Sequence, residues 1–216
     1  MFQTIWMQLL QATGETLYMT LLASIVAIVV GIPLGVILFL TRKDQLLDQR
    51  FLNLALGFVV NIGRSIPFII LMVAIIPFTR LLVGTSIGTT AAGVPLAIAA
   101  IPFLARIVEG ALLEVASGLI EAALAMGATY KQIVTKVLLP EAMPGIINGI
   151  TITVITLIGY SAMAGAIGGG GLGDLAIRYG YQRFEISVMI ETIVILVVLV
   201  QLVQMCGDFF MRRLNH

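Results

Sequence analysis

Cysteine, histidine and tryptophan each occur once in this 216-residue chain, and charged residues make up only 11% of it. A single Cys206 excludes an internal disulfide and any cysteine-cluster metal site. His216, the one histidine, is the last residue; a solvated tail is expected there rather than a ligand, and no metal site is expected anywhere. With no histidine to activate it, Ser161 is no triad nucleophile, and hydrolase chemistry is excluded. Twelve Lys and Arg against eleven Asp and Glu leave a formal charge of +1, so there is no basic surplus for nucleic acid. Tandem repeats, low-complexity tracts and flexible linkers are also missing. What remains is apolar: 60% hydrophobic residues and a mean hydropathy of +1.11. A soluble domain could not cover that much apolar surface, so an all-α polytopic membrane protein is expected.

Hydropathy gives five spans, at about 20–40, 58–78, 86–105, 146–167 and 187–208. Residues 20–40 carry no charge over about 31 Å of helix, matching a hydrocarbon core of about 30 Å. They are not expected to be a cleaved secretory signal, because no Lys or Arg precedes them and no small-residue cleavage site follows. The segments 41–50, 106–143 and 209–216 hold Arg42, Lys43, Arg50, Arg106, Lys131, Lys136, Arg212 and Arg213, eight cations. The opposite side holds Arg80, Arg178 and Arg183, and residues 1–19 hold none. Positive charge favours the cytoplasm, which places the N-terminus outside and the C-terminus inside.

Residues 121–140, EAALAMGATYKQIVTKVLLP, carry Glu121, Lys131 and Lys136 within this apolar chain. Leu119, Ile120, Ala123 and Met126 recur at helical spacing up to Gly127. Thr129 can cap a second helical stretch through Ile133, Val134 and Val137, which Pro140 is expected to stop. Such a helix–turn–helix between spans can hand force to a soluble partner. The stretch resembles the E-A-A loop of ATP-binding-cassette (ABC) importer permeases: E-A-A, three residues, Gly, nine residues, Ile, any residue, Leu-Pro. Glu121, Ala122, Ala123, Gly127, Leu139 and Pro140 match at that spacing, and Val137 replaces the Ile.

No ATP site is expected here. The run GAIGGGGLG at 165–173 lacks a following Gly-Lys-Ser/Thr and a preceding strand, and reads as a flexible outer turn. Asp44/Asp48, Glu109/Glu114 and Asp174/Glu185 read as solvated acidic pairs among cations. In the fourth span Gly149, Thr153, Thr156, Tyr160 and Met163 form one stripe. It is either a close helix seam or the wall of a translocation path, and both stay open. Arg64, followed by Ser65 and Pro67 in NIGRSIPFII, is either a snorkelling cation at the inner end of the second span or a gate residue.

The segments NIGRSIPFIILMVAIIPFTR (61–80), the E-A-A loop and GYSAMAGAIGGGGLGDLAIRYGY (159–181) together resemble the permease subunit of the methionine ABC importer family. The resemblance runs along essentially the whole chain. It implies a single transmembrane domain over residues 1–216 with the type I importer fold and a cytoplasmic coupling loop at 117–143. It further implies a second copy of the chain, two ATPase subunits that bind ATP and Mg, and an extracytoplasmic substrate-binding protein. No cofactor is implied in this chain itself. The cargo would be L- or D-methionine or a related apolar amino acid, and the setting a bacterial inner membrane. Two rivals are a scaffold that recruits an ATPase and an ion-driven carrier, though no midplane carboxylate is present for the latter.

The cation bias makes a direct prediction. A reporter fused after His216 reads from the cytoplasm and one placed before Trp6 from outside; both reporting from one side would contradict the five-span count.

Overall fold

The computed structural model describes residues 2–214, and every regular element among them is helical. His216 lies outside the described residues. Helix α1 (Phe2–Leu40) has 39 residues. That is about 58 Å of rod, so the span expected at 20–40 is only its second half. Hydropathy misses the first half because Gln8, Gln11, Thr13 and Glu15 dilute it, yet the spacing is helical and Gln11 Nε2 donates to Glu15 Oε1 at 2.9 Å.

Helix α2 (Arg50–Ser65) and helix α3 (Phe68–Ala74) meet at 101°, so residues 58–78 are broken rather than one continuous helix. Pro67 is the cause. Its ring disfavours the α region at Ile66, which is extended at φ −82°, ψ 122°, and its nitrogen has no hydrogen to donate. Helix α4 (Ile76–Val83) follows and ends on Gly84 at φ +81°. Helix α5 (Thr89–Leu113) is the most buried of the long helices and lies along α1. Glycine sets how near they come: a Cβ at Gly35 would stand 2.6 Å from Ala105 O and 2.7 Å from Val108 Cβ. Met19, Ala23 and Ala27 join Leu96, Ala100 and Leu104 in one core between these helices.

Helix α6 (Ser117–Ala125) and helix α7 (Tyr130–Ile133) form a hairpin, and α7 continues through a π-helical turn (Val134–Leu138) into α8 (Leu139–Ala166). Pro140 therefore does not stop the helix, contrary to the sequence expectation. In the π turn Leu139 N–H bonds to Val134 O, five residues back. That wider turn shifts the carbonyl register ahead of Pro140, so its ring and missing N–H are absorbed without a break. Helix α9 (Gly171–Leu175), a second π turn (Ala176–Tyr181) and α10 (Ile186–Leu214) complete the chain. Four described helices are long and apolar enough to cross a membrane: Ile5–Leu40, Thr89–Leu113, Tyr130–Ala166 and Ile186–Leu214. Counting α2 with α3 as one bent span makes five.

Two further expectations are corrected. The glycine-rich run at 165–173 is no loose turn. Glu15 Oε2 accepts from Gly171 N–H at 2.8 Å and Thr16 Oγ1 from Leu172 N–H at 2.9 Å, so α1 caps the start of α9. Gly171 and Leu172 are buried, and a Cβ at Gly169 would collide with the Ala164 carbonyl. Nor is Glu109 solvated. It is 4% exposed on α5, paired with Arg106 Nη1 at 2.5 Å and Arg42 Nη1 at 3.5 Å. Arg106 Nη2 also donates to Gly57 O and Asn61 Oδ1, each at 3.1 Å, which hitches α2 to α5.

Removing Glu109 leaves Arg106 and Arg42 without their shared carboxylate. Because both arginines keep some contact with solvent, Glu109→Ala should destabilise by about 2 kcal/mol, below the full penalty of a broken buried pair. Thermal unfolding of the purified protein measures it, with Glu109→Asp losing less; an unchanged transition would contradict the buried pairing.

Candidate functional site

The E-A-A stretch folds as two capped arms around a glycine. At the end of α6, Ala128 N–H bonds Ala123 O at 3.0 Å and Gly127 N–H bonds Leu124 O at 2.9 Å. With Gly127 at φ +77°, this is a Schellman stop. Thr129 then starts α7 through a capping box: Gln132 N–H bonds Thr129 Oγ1, and Thr129 N–H bonds Gln132 Oε1 at 2.8 Å. Ala123, Ile133 and Leu138 anchor the hairpin in the main core. Glu121, Ala122, Gly127 and Pro140 stay exposed, and Leu139 is half-buried. Around them Leu119, Leu124, Met126 and Tyr130 present apolar side chains to the outside, with Met126 81% exposed. Lone exposed apolar residues are ordinary, but four on one short hairpin make an unpartnered face.

A second constellation lies where the bent α2–α3 pair meets α5 and α8. A cavity of about 190 Å³ is lined by Arg64 and Phe68, by Phe103 of α5, and by Thr153, Thr156 and Tyr160 of α8. The 101° bend at Pro67 brings Arg64 and Phe68 to the same cavity, and Phe68 stacks on Tyr160 with ring centroids 4.5 Å apart and planes 5° from parallel. Gly63 lets α2 approach: a Cβ there would lie 3.0 Å from Pro102 Cγ. The threonine hydroxyls donate to their own helix, Thr153 to Gly149 O at 2.7 Å and Thr156 to Ile152 O at 2.8 Å. Their oxygen lone pairs remain for a solute. The lining holds one cation and no carboxylate, and its volume falls below the roughly 300–1,000 Å³ of a complete ligand pocket. It is open on one side, as half of a larger site would be.

The two readings of the α8 stripe divide by position. Gly149 belongs to a seam, since a Cβ would stand 2.5 Å from Ile107 Cγ2 of α5. Thr153, Thr156 and Tyr160 line the cavity. Met163 is 47% exposed and lies outside that lining, as do Ser65, whose hydroxyl donates to Asn61 O at 2.8 Å, and Pro67, whose part is the bend. Sequence reasoning missed Phe68, Phe103 and the Arg42–Glu109–Arg106 cluster. Only the i,i+3 spacing of Arg106 and Glu109 gave a local signal for the last. On the opposite side of the chain, Asp174 bonds Arg178 and holds its guanidinium pKa above the ordinary value.

Comparison with known proteins accords with this architecture. Residues 27–216 match the family described as "Binding-protein-dependent transport system inner membrane component". The chain is 62% identical over 208 residues to a "Probable D-methionine transport system permease protein MetI" of Vibrio cholerae, covering 96% of this chain and 92% of that one. It is 55% identical to the protein of the same description in Pasteurella multocida, covering 98% of both. A solved structure described as "Inward facing conformations of the MetNI methionine ABC transporter" superposes with a TM-score of 0.98 at 52% identity over the whole of both chains. An amino acid ABC transporter at 21% identity shares the fold, with a TM-score of 0.78 over 98% of this chain and 96% of that one. This chain is a member of the binding-protein-dependent transport system inner membrane components, with the fold of a type I ABC importer permease.

Proposed function

We propose that this chain is the membrane-spanning subunit of an ABC importer that moves methionine, in its L or D form, or a closely related apolar amino acid. The observation that carries the reading is the likeness to methionine permeases along nearly the whole chain, joined to a cavity of hydroxyls, aromatic rings and one cation. A zwitterionic amino acid with an apolar side chain suits such a lining: Arg64 answers the carboxylate, Thr153 and Thr156 accept from the ammonium, and Phe68 and Tyr160 flank the side chain. The chain does no hydrolysis. ATP and Mg sit on two partner ATPase subunits, which dock on the exposed face of the α6–α7 hairpin. A second copy closes the open side of the cavity, and an extracytoplasmic binding protein delivers the solute. The setting is a bacterial inner membrane, with the hairpin and the C-terminus cytoplasmic. A permease for another small amino acid is the nearest alternative.

The mechanism follows from continuity of backbone. Tyr130–Ala166 is one helix from the hairpin to the cavity wall, 37 residues joined through the π turn. Closure of the ATPases moves the hairpins together, and the rigid rod carries that displacement about 35 Å to Thr153 and about 45 Å to Tyr160. The cavity then changes the side to which it opens, which is alternating access.

Two measurements check this account. Gly127 meets nothing within 4 Å of an added Cβ, so a substitution there acts through its left-handed backbone alone. Gly127→Val should leave membrane insertion intact and lower uptake and substrate-stimulated ATP hydrolysis at least tenfold, by the order of 1–2 kcal/mol or more of backbone strain, whereas Gly127→Asn should keep most activity. Equal uptake by the valine variant would remove the coupling role. In a Cys206→Ser background, cysteines at 156 and 160 should react with a small polar thiol reagent more readily than one at 152, and the rate should change when ATP is trapped. Inert cysteines in every state would make the cavity dry and end the pathway assignment.

A further inference from the structure

An apolar groove of about 540 Å³ runs between α1, α8 and α10, on walls apart from the cavity described above. Its α10 wall extends from Leu199 to Phe210, eleven helical steps or about 16 Å, which equals one leaflet of a hydrocarbon core of about 30 Å. The one hydroxyl on its walls is that of Thr151, which donates to Ile147 O at 2.9 Å and asks for no partner from an occupant, and the Cys206 thiol beside it is only a weak donor. At the Leu214 end of the groove the charge changes. Leu199, Leu202, Cys206, Phe210 and Arg213 follow at steps of three, four, four and three along one side of α10, so Arg213 stands on the line of the groove just past its end. Its guanidinium lies 4.9 Å from the Phe209 ring, Arg212 is adjacent, and both are exposed with no carboxylate partner among the described residues. The nearest acid on α10, Asp208, points half a turn away and accepts from Gln204 Nε2 at 2.8 Å.

We propose that this groove is a binding site for an anionic phospholipid of the leaflet on the Leu214 side. One acyl chain lies along α10 between Leu199 and Phe210, and the headgroup phosphate is held by Arg213 with Arg212. The length selects a single leaflet, the lining excludes a polar occupant, and the paired cations at one end select a negative headgroup over a zwitterionic one. The inference rests on the chain spanning a membrane and is independent of the solute it carries.

The test uses the assembled transporter purified in mild detergent, titrated separately with phosphatidylglycerol and phosphatidylethanolamine, with retained lipid per chain read by native mass spectrometry. Phosphatidylglycerol should be retained at least fivefold over phosphatidylethanolamine. Arg213→Gln should bring the two to the same level, and Cys206→Phe, which fills the groove without changing charge, should lower both. Equal retention of the two lipids by the unaltered chain, or unchanged retention in both variants, overturns the proposal. Native Cys206 adds an independent reading: a membrane-soluble maleimide should label it less as phosphatidylglycerol is added. Labelling of Cys206 that does not change with phosphatidylglycerol, whether high or absent throughout, also overturns it.

Discussion

A proline without an N–H in a helix that must stay whole is the constraint on which the rest of this structure turns. Pro140 removes one hydrogen bond from the segment joining the hairpin to the cavity wall, and its ring threatens the turn before it. The π turn at Val134–Leu138 takes up both problems by moving the bonding register one residue, so that Tyr130–Ala166 remains one rod. A break there would have put the hairpin and Thr153 on separate helices. At Pro67 the outcome is opposite. There the chain does break, by 101°, and the bend makes the cavity by setting Arg64 and Phe68 against Tyr160. Pro140 follows a wider turn and stays within the rod, Pro144 in the same rod and Pro33, Pro95 and Pro102 elsewhere stay within helices without one, and Pro67 stands at a break.

The buried carboxylate of α5 is shared among several groups. Glu109 is nearly inaccessible, yet two arginines from different segments meet its carboxylate and Arg106 extends the network to the α2 backbone. Asn61, one of those anchors, lies one turn before Arg64, so the same cluster that neutralises Glu109 also fixes the α2 end that faces the cavity. At the other end of the molecule, Glu15 and Thr16 of α1 satisfy the first N–H groups of α9, which turns a glycine run into a fixed corner. Glycine in both places serves close approach more than freedom of movement.

What the sequence made legible was whatever depends on local pattern. Helical class and the hairpin with its Thr129 cap and Gly127 turn follow from spacing and capping chemistry, and the last three expected spans fall on helices Thr89–Leu113, Tyr130–Ala166 and Ile186–Leu214, which run six to sixteen residues past one of the expected ends. Hydropathy could not see the first half of α1, where glutamines and Glu15 sit on a helix supported by contacts far along the chain. It could not see the bend at Pro67 either, since a summed window carries no dihedral angle, although the extended preference of the residue before proline was there to be read. The fate of Pro140 was hidden because a π turn has no sequence signature comparable to a cap. Phe68 and Phe103 were passed over as ordinary apolar residues of their spans; only the fold brings them beside Arg64.

The central claim is that hairpin and cavity wall move as one body, and a distance measurement addresses it directly. Spin labels at Thr135→Cys and Ile152→Cys, in a Cys206→Ser background, should stand about 26 Å apart along the helix backbone, apart from label length, in nucleotide-free and ATP-trapped states alike. The distance between the two Thr135 positions of a dimer should shorten on ATP trapping. A within-chain distance that changes as much as the between-chain distance would show a hinge at the π turn and contradict the account.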